Sequence, residues 1–348
     1  ESHFILTDVP VTALCILALW LSLRASTLHT VAAFAWAGAA IGLTAAAKYN
    51  GGVVAVALLI VWLREYWEGE WGRKAAAAIL AMIVAFTIAA PYSILDLPGF
   101  LNGFAAQMSR FAIPRDYGTP IGMIYLKHLA LQGRLWVFAA GAGIVLALAR
   151  RERRGLWWSP LWFAALYFYV LETHTPVFAR YALPLVPVIC LLAAVPIVEL
   201  AAVAGRFSRS PAALPLVVTL ASLAIVSQPA IQTVSWIEGL KSRDTRVVAA
   251  DWMRAQLPQK TRLVVEITGP TYMSTAGFSV TRVENIKDRT PAQYVRSDAG
   301  YLVISSGDLD RYQDYAQLGK LVFEIAPLNQ RPGPPVRIIQ IDRAEAVR

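Results

Sequence analysis

Lys48-Tyr49-Asn50 interrupts an apolar run that is too long to cross a membrane once. From Thr30 to Leu63 the only fixed charge is Lys48, and Gly51-Gly52 follow it. An unbroken helix of that length would measure about 50 Å, against a hydrocarbon core of about 30 Å. The run is therefore expected to turn back at Lys48 and form two spans, with the cation at a membrane surface. A lysine at the lipid boundary beside a helix break points to a site for an anionic lipid headgroup. The competing reading is a snorkelling lysine that ends a helix.

The rest of the composition agrees with a membrane chain. It is 57% hydrophobic and only 16% charged, with mean hydropathy +0.50. Soluble chains carry about a quarter charged residues. At 348 residues there is room for a membrane bundle plus a small soluble domain. The net charge of +9 would suggest nucleic acid in a soluble protein. Here much of the excess falls in short loops between apolar segments, so topology explains it and no nucleic-acid partner is expected. Cys15 and Cys190 both fall inside apolar segments, which excludes a disulfide framework, and no CxxC or Cys/His metal pattern occurs. The chain opens at Glu1-Ser2-His3 without a basic signal-peptide region and runs almost at once into a span. It reads like the later part of a longer protein.

Hydropathy gives about eight candidate spans, near 9–23, 30–47, 52–63, 75–90, 134–149, 157–171, 181–203 and 212–232. Arg24, then Arg64, Arg73 and Lys74, then Arg150 to Arg154, then Arg206 and Arg209 fall on alternate connections. The positive-inside rule makes those connections cytoplasmic, which also requires the hairpin at Lys48. The opposite face then carries Glu1–Asp8, Lys48–Gly52, a long juxtamembrane loop 91–133, a short loop 172–180 and the C-terminal region. Within the long loop, Phe100–Phe111 has apolar residues at helical spacing and reads as an interfacial amphipathic helix. From about Lys241 charges return. A helix is expected over Thr245–Leu257 and another over Asp308–Leu318. Short strands are expected over Arg262–Ile267, Tyr301–Ser305, Leu321–Ile325 and Val336–Ile341. The expected fold is a polytopic α-helical membrane bundle over 1–235 and a small extracytoplasmic α/β domain over 236–348.

The placement of polar residues carries the functional information. His3, Asp8, Lys48, Tyr49, Arg110, Arg115, Asp116, His174, Arg180 and Tyr181 all map to the non-cytoplasmic boundary. Nucleotide-activated donors are cytosolic, so an enzyme working on that face needs a donor already in the bilayer. A sugar on a polyprenyl phosphate fits. Its phosphate leaves without a general acid if cations neutralise the developing charge. Arginine suits this because its planar fork binds phosphate oxygens two at a time. The acceptor hydroxyl or amine needs a carboxylate base, or a divalent metal held by carboxylates. Asp8, just before an apolar span, is the candidate for either role. Each residue has a plainer reading too. Asp8 before Val9-Pro10 makes a good helix cap, Arg180-Tyr181 an interfacial anchor, and Arg110 the polar face of an amphipathic helix.

Four stretches resemble the GT-C superfamily of glycosyltransferases that use lipid-phosphate sugars. The branch is that of dolichyl-phosphate-mannose protein mannosyltransferases and lipid A aminoarabinose transferases. Ser2–Pro10 resembles its second acidic motif, and Gly42–Tyr49 its glycine-rich helix ending in lysine. Gln107–Phe111 resembles its juxtamembrane Arg-Phe segment, and Phe178–Pro187 its late Tyr-x-Leu-Pro motif. The resemblance implies a catalytic, metal- or acceptor-site role for Asp8, with His3 beside it. It implies donor-phosphate binding by Lys48, Arg110, Arg180 and Tyr181. The family's large first extracytoplasmic loop, whose acidic residue is usually assigned as the catalytic base, has no counterpart here. The expectation is a bacterial inner-membrane glycosyltransferase, inverting by family resemblance. It would move a sugar from a polyprenyl-phosphate donor to a periplasmic glycolipid, polysaccharide or protein. A transporter or flippase of lipid-linked sugars is the alternative.

Overall fold

The computed structural model describes residues 7–66, 69–111, 117–150, 154–175, 177–207, 212–271, 277–305, 315, 317–327 and 331–342. The chain divides into two compact units, Glu1–Pro229 and Ala230–Arg348.

Among its described residues the first unit is built of helices and short connections. Helix α1 (Asp8–Leu28) leads to α2 (Val31–Ala47), where Thr30 caps the start by accepting from Ala33 N. The apolar run does break at Lys48. That residue leaves the helix in an extended conformation (φ −165°), and a 3-10 segment over Tyr49–Val54 redirects the chain into α3 (Ala55–Arg64). Gly51 makes the reversal compact. A Cβ there would lie 2.5 Å from Val11 Cγ2 on α1. Helix α4 (Trp71–Ala89) then packs along α2. Gly38 and Gly42, four residues apart, allow this. A Cβ on either would meet a backbone oxygen of α4, Ala78 O at 2.1 Å or Met82 O at 2.2 Å. Small residues at that spacing let membrane helices approach closely.

The stretch 91–133, expected as a loop around one amphipathic helix, shows three helices among its described residues. They are α5 (Tyr92–Leu95), α6 (Leu97–Phe111) and α7 (Ile121–Gln132). Helix α6 is the expected amphipathic one. Helix α7 puts Tyr125 and Leu129 into the core, and its Lys127 and His128 disguised that periodicity. At Gly133 the chain bends by 115° into α8 (Arg134–Ala149). Helix α9 (Arg154–Glu172) follows, then a 3-10 segment over Ala179–Leu185 that runs into α10 (Val186–Phe207), and α11 (Ala213–Leu240).

Every segment expected to span is helical. Among the described residues, four helical stretches are long and apolar enough to cross a membrane: Asp8–Leu28, Trp71–Ala89, Ala179–Phe207 and Leu214–Gln256. The bent pair α7–α8 makes a fifth if counted as one span, while Val31–Ala47 and Tyr49–Arg64 are shorter apolar helices.

In the second unit, α12 (Thr245–Gln256) starts at Asp244, which accepts from Arg246 N at 2.8 Å. The Arg246 side chain hydrogen-bonded to Asp244 holds its carboxyl below the usual range. The strands are β1 (Arg262–Glu266), β2 (Ser279–Val283), β3 (Tyr301–Ile304), β4 (Gly319–Ile325) and β5 (Val336–Ile341), with α13 (Pro291–Arg296) before β3. Their order in the sheet is β2-β1-β3-β5-β4. β1 runs parallel to both neighbours, and β5 runs antiparallel to β3 and β4. Leu263, Val264 and Val265 of the interior strand β1 are all buried, as parallel strands covered on both faces require. The Glu266 carboxylate ends β1 inside the core and accepts from Ile286 N (3.0 Å) and Ser305 N (2.6 Å). Four strands and α12 fall where expected. β2 and α13 were not anticipated, because β2 is a mostly exposed edge strand with little apolar alternation. The helix expected over Asp308–Leu318 lies mostly outside the described residues.

Candidate functional site

Asp8 is the first residue of α1, yet it does not cap the helix. Thr7 holds the cap position, and no side chain closes it. The Asp8 carboxylate, 4% exposed, is turned sideways between two cations. Lys48 Nζ lies 2.5 Å from Oδ1 and Arg180 Nε 3.5 Å from Oδ2. These residues lie 40 and 172 positions further along the chain, and the tertiary fold brings them together. The start of a helix also favours a carboxylate electrostatically. Asp8 therefore serves here as a buried anchor for two cations rather than as a helix cap.

Arg180 and Tyr181 come from the 3-10 segment before α10. Tyr181 spreads its ring under Lys48, with Nζ 4.2 Å from the centroid. The Arg180 guanidinium stacks on Phe178 at 4.2 Å and approaches Tyr181 at 5.5 Å. Aromatic faces hold cations in place while leaving their N–H groups able to donate. The Tyr181 carbonyl accepts from Tyr167 Oη at 3.1 Å, and that same hydroxyl accepts from Asn50 Nδ2 at 3.2 Å. The lysine turn and the 3-10 segment are thus tied through α9.

One charge count matters. Asp8 contributes one negative charge, and Lys48 and Arg180 one positive charge each. The cluster keeps a single surplus positive charge at neutral pH.

Lys48 and Tyr181 open onto a cavity of about 650 Å³. Ala46 to Asn50 wall one side, Gly103, Phe104, Gln107, Met108 and Phe111 of α6 another, and Val170, Leu171 and His174 a third. Polar groups gather around Lys48, and most of the remaining lining is apolar. Arg180 instead lines a second cavity of about 500 Å³, with His128, Gln132, Trp136 and Cys190. The 3-10 segment therefore divides the two adjacent residues between two spaces, with Asp8 anchored behind both.

Of the residues expected at a site, the structure unites Asp8, Lys48, Arg180 and Tyr181. Arg110 lies on α6, the helix that walls the larger cavity, but its side chain is outside the described residues. So are His3, Arg115 and Asp116. Tyr167 is a neighbour that the sequence did not single out, while Asn50, Gln107 and Phe178 stood inside the stretches noted above without a role of their own. Asn50 was signalled only by standing two residues after the isolated lysine, and Tyr167 by a hydroxyl within an apolar span. The expected divalent metal finds no donor set among the described residues. Both Asp8 oxygens face cations, and no group of three His, Cys, Asp or Glu side chains comes together.

No family model matches the chain, and no curated protein matches it in sequence. Among solved structures, it is similar to the crystal structure of ArnT from Cupriavidus metallidurans bound to undecaprenyl phosphate. The two share 15% identity over 95% of this chain and 74% of that one, with a TM-score of 0.49. A likeness at that level assigns no family and no function.

Proposed function

We propose that this chain belongs to a membrane glycosyltransferase that moves a sugar from a polyprenyl-phosphate donor to a periplasmic acceptor. The acceptor classes are a glycolipid, a polysaccharide or a protein. The observation that supports this reading best is the surplus positive charge of the Asp8–Lys48–Arg180 cluster beside a largely apolar cavity of about 650 Å³. A lipid phosphate has the matching form, an anionic head on an apolar chain.

In this reaction the bond between the sugar's anomeric carbon and the phosphate oxygen breaks. A bond from that carbon to the acceptor's oxygen or nitrogen forms, and the acceptor gives up a proton. The departing phosphate gains negative charge as it leaves. Cations already in place stabilise that charge more in the transition state than in the ground state, which lowers the barrier. Lys48, fixed by Asp8 and the Tyr181 ring, supplies that charge from the cavity wall. Arg180 supplies it from behind, and Arg110 on α6 is assigned to the same phosphate. Asp8 holds the cations at fixed positions. The bilayer is the donor's reservoir. In this reading the cavity opens toward the extracytoplasmic face of a bacterial inner membrane.

A transporter of lipid-linked sugars draws on the 115° break between α7 and α8, since transporters use broken helices at their binding sites. The cation cluster, however, sits at helix ends rather than at that break.

The test is turnover of a synthetic polyprenyl-phosphate sugar, labelled in the sugar, in native membrane vesicles that supply acceptors. Transfer of label to membrane or soluble material is expected, with release of polyprenyl phosphate. Arg110→Ala abolishes it without loss of folded protein, and Arg110→Lys restores only part, because lysine lacks the bidentate fork. Movement of intact donor across the bilayer without cleavage would replace this reading with the transporter.

A further inference from the structure

The donor occupies the Lys48 cavity in the reading above, and the second cavity, which Arg180 lines, has no occupant assigned. Its polar groups are few and close in sequence. His128 and Gln132 stand one turn apart on α7 and line it together with Arg180. Apart from these and the Cys190 thiol, its lining is apolar. Asp8 meets Arg180 through Nε. A guanidinium is always charged and has five N–H donors, so Arg180 keeps donors for a second anion.

Beside this cavity lies a third, of about 470 Å³, whose lining residues are all apolar. The two adjoin. Leu129 borders both, and at the start of α10 Val186 borders one while Val188 and Ile189 border the other. On α8 the two linings form a single row at four-residue spacing. Trp136 belongs to the Arg180 cavity, and Ala140, Ile144 and Leu148 belong to the apolar one. From Trp136 to Leu148 the helix advances about 18 Å. The hydrocarbon of one leaflet is about 15 Å deep, half of the bilayer core. Leu126, Ile144 and Trp162 on the walls of the apolar cavity are exposed, so this trough is open to the side, where a membrane chain meets lipid.

A cation at one end and an apolar trough of leaflet depth at the other match an amphiphile with an anionic head. A free anion makes no use of the trough, and an uncharged lipid makes none of the arginine. We infer that the two cavities together bind one anionic phospholipid of the bilayer. Its phosphate lies at Arg180 with His128 and Gln132, and an acyl chain runs past Leu129 along α8. The site is separate from the Lys48 cavity and does not depend on sugar transfer.

Cys190 reports on occupancy. It is exposed on the wall of the Arg180 cavity, whereas Cys15, the other cysteine of the chain, is buried. The test follows maleimide labelling of Cys190 in the full chain, held in nanodiscs of phosphatidylcholine with increasing fractions of phosphatidylglycerol. Cys190→Ser confirms where the label goes. Phosphatidylglycerol is expected to slow labelling, and phosphatidylcholine alone is not. Arg180→Gln should raise the phosphatidylglycerol fraction that protects by about ten- to hundredfold, the worth of one hydrogen bond to a charged group. Ile144→Trp fills the trough without touching the Asp8 cluster and should relieve protection too, which keeps the test decisive if Arg180→Gln fails to fold. Equal labelling in the two lipids overturns the inference, as does protection that survives both variants. Protection by free glycerol phosphate equal to that by phosphatidylglycerol overturns the lipid in favour of a free anion. Protection by polyprenyl phosphate but not by phosphatidylglycerol overturns it too, and makes the cavity an extension of the donor site.

Discussion

Two buried carboxylates at the two ends of α1 invite comparison. Asp8 opens the helix, and His29 follows its close. His29 approaches Glu65 at 3.2 Å, and Glu65 pairs with Lys74 at 2.7 Å. Both clusters set one carboxylate against two basic residues. At the Glu65 end the ion pair itself is enclosed, with the side chains of Lys74 and Glu65 only 2% and 4% exposed, while His29 reaches it from a half-exposed position. Trp62 and Trp71 stack beside it at 3.9 Å and exchange two hydrogen bonds between indole N–H groups and backbone carbonyls. The charges of Glu65 and Lys74 balance one another. At the Asp8 end, Lys48 keeps 22% of its side chain exposed and faces a large cavity, and a second permanent cation leaves the sum positive. Burial of an ion pair alone does not mark a site.

That contrast predicts different losses at the two ends. The largest effect is on stability at the Glu65 end. Lys74→Ala strands Glu65 without its main partner and costs about 3–5 kcal/mol, the range for breaking one side of a buried pair. Unfolding in detergent measures it, and the double change Lys74→Met with Glu65→Gln should recover most of the loss. A neutral Lys74→Ala would erase the distinction between the ends.

Next comes binding at the open end. Lys48→Met should weaken polyprenyl phosphate by about ten- to hundredfold, the worth of one hydrogen bond to a charged group. Its stability should change little, since Arg180 still faces Asp8. Titration with fluorescent polyprenyl phosphate checks this. A stability loss as large as that of Lys74→Ala, with unaltered binding, would make the two clusters equivalent.

The hairpin that carries Lys48 to Asp8 depends on close approach of α2 and α4. Gly42→Leu drives a side chain into Met82 O and should cost about 1–3 kcal/mol through overpacking. Thermal unfolding reads the loss, and donor affinity of the folded fraction falls with it if Lys48 moves. The smallest effect belongs to Tyr181. Tyr181→Phe keeps the ring beneath Lys48 and should leave donor affinity within about threefold. Tyr181→Leu removes the ring and should cost about 0.5–2 kcal/mol. Equal losses for both variants would assign the contribution to the hydroxyl instead.

Hydropathy is a local property, and whatever depends on it could be read along the chain. One lysine in an otherwise apolar run, followed by two glycines, was enough to locate the reversal at Lys48. Polar residues at span ends picked out Asp8, Arg180 and Tyr181. The alternation of Val and Ile with charged residues after Lys241 marked most of the sheet. Pairings between distant segments were not legible. Nothing in Thr7-Asp8-Val9 says that its carboxylate meets a lysine forty residues on rather than capping its own helix. Nothing in Arg180-Tyr181 says that neighbouring side chains serve different cavities. A 3-10 segment advances about 120° per residue, so consecutive side chains diverge, and only packing against α1 and α9 selects the direction of each. Charge and span order are therefore determined by sequence. Which charges are compensated, and which face open space, is decided by how the helices pack, because that depends on contacts between segments far apart in the chain.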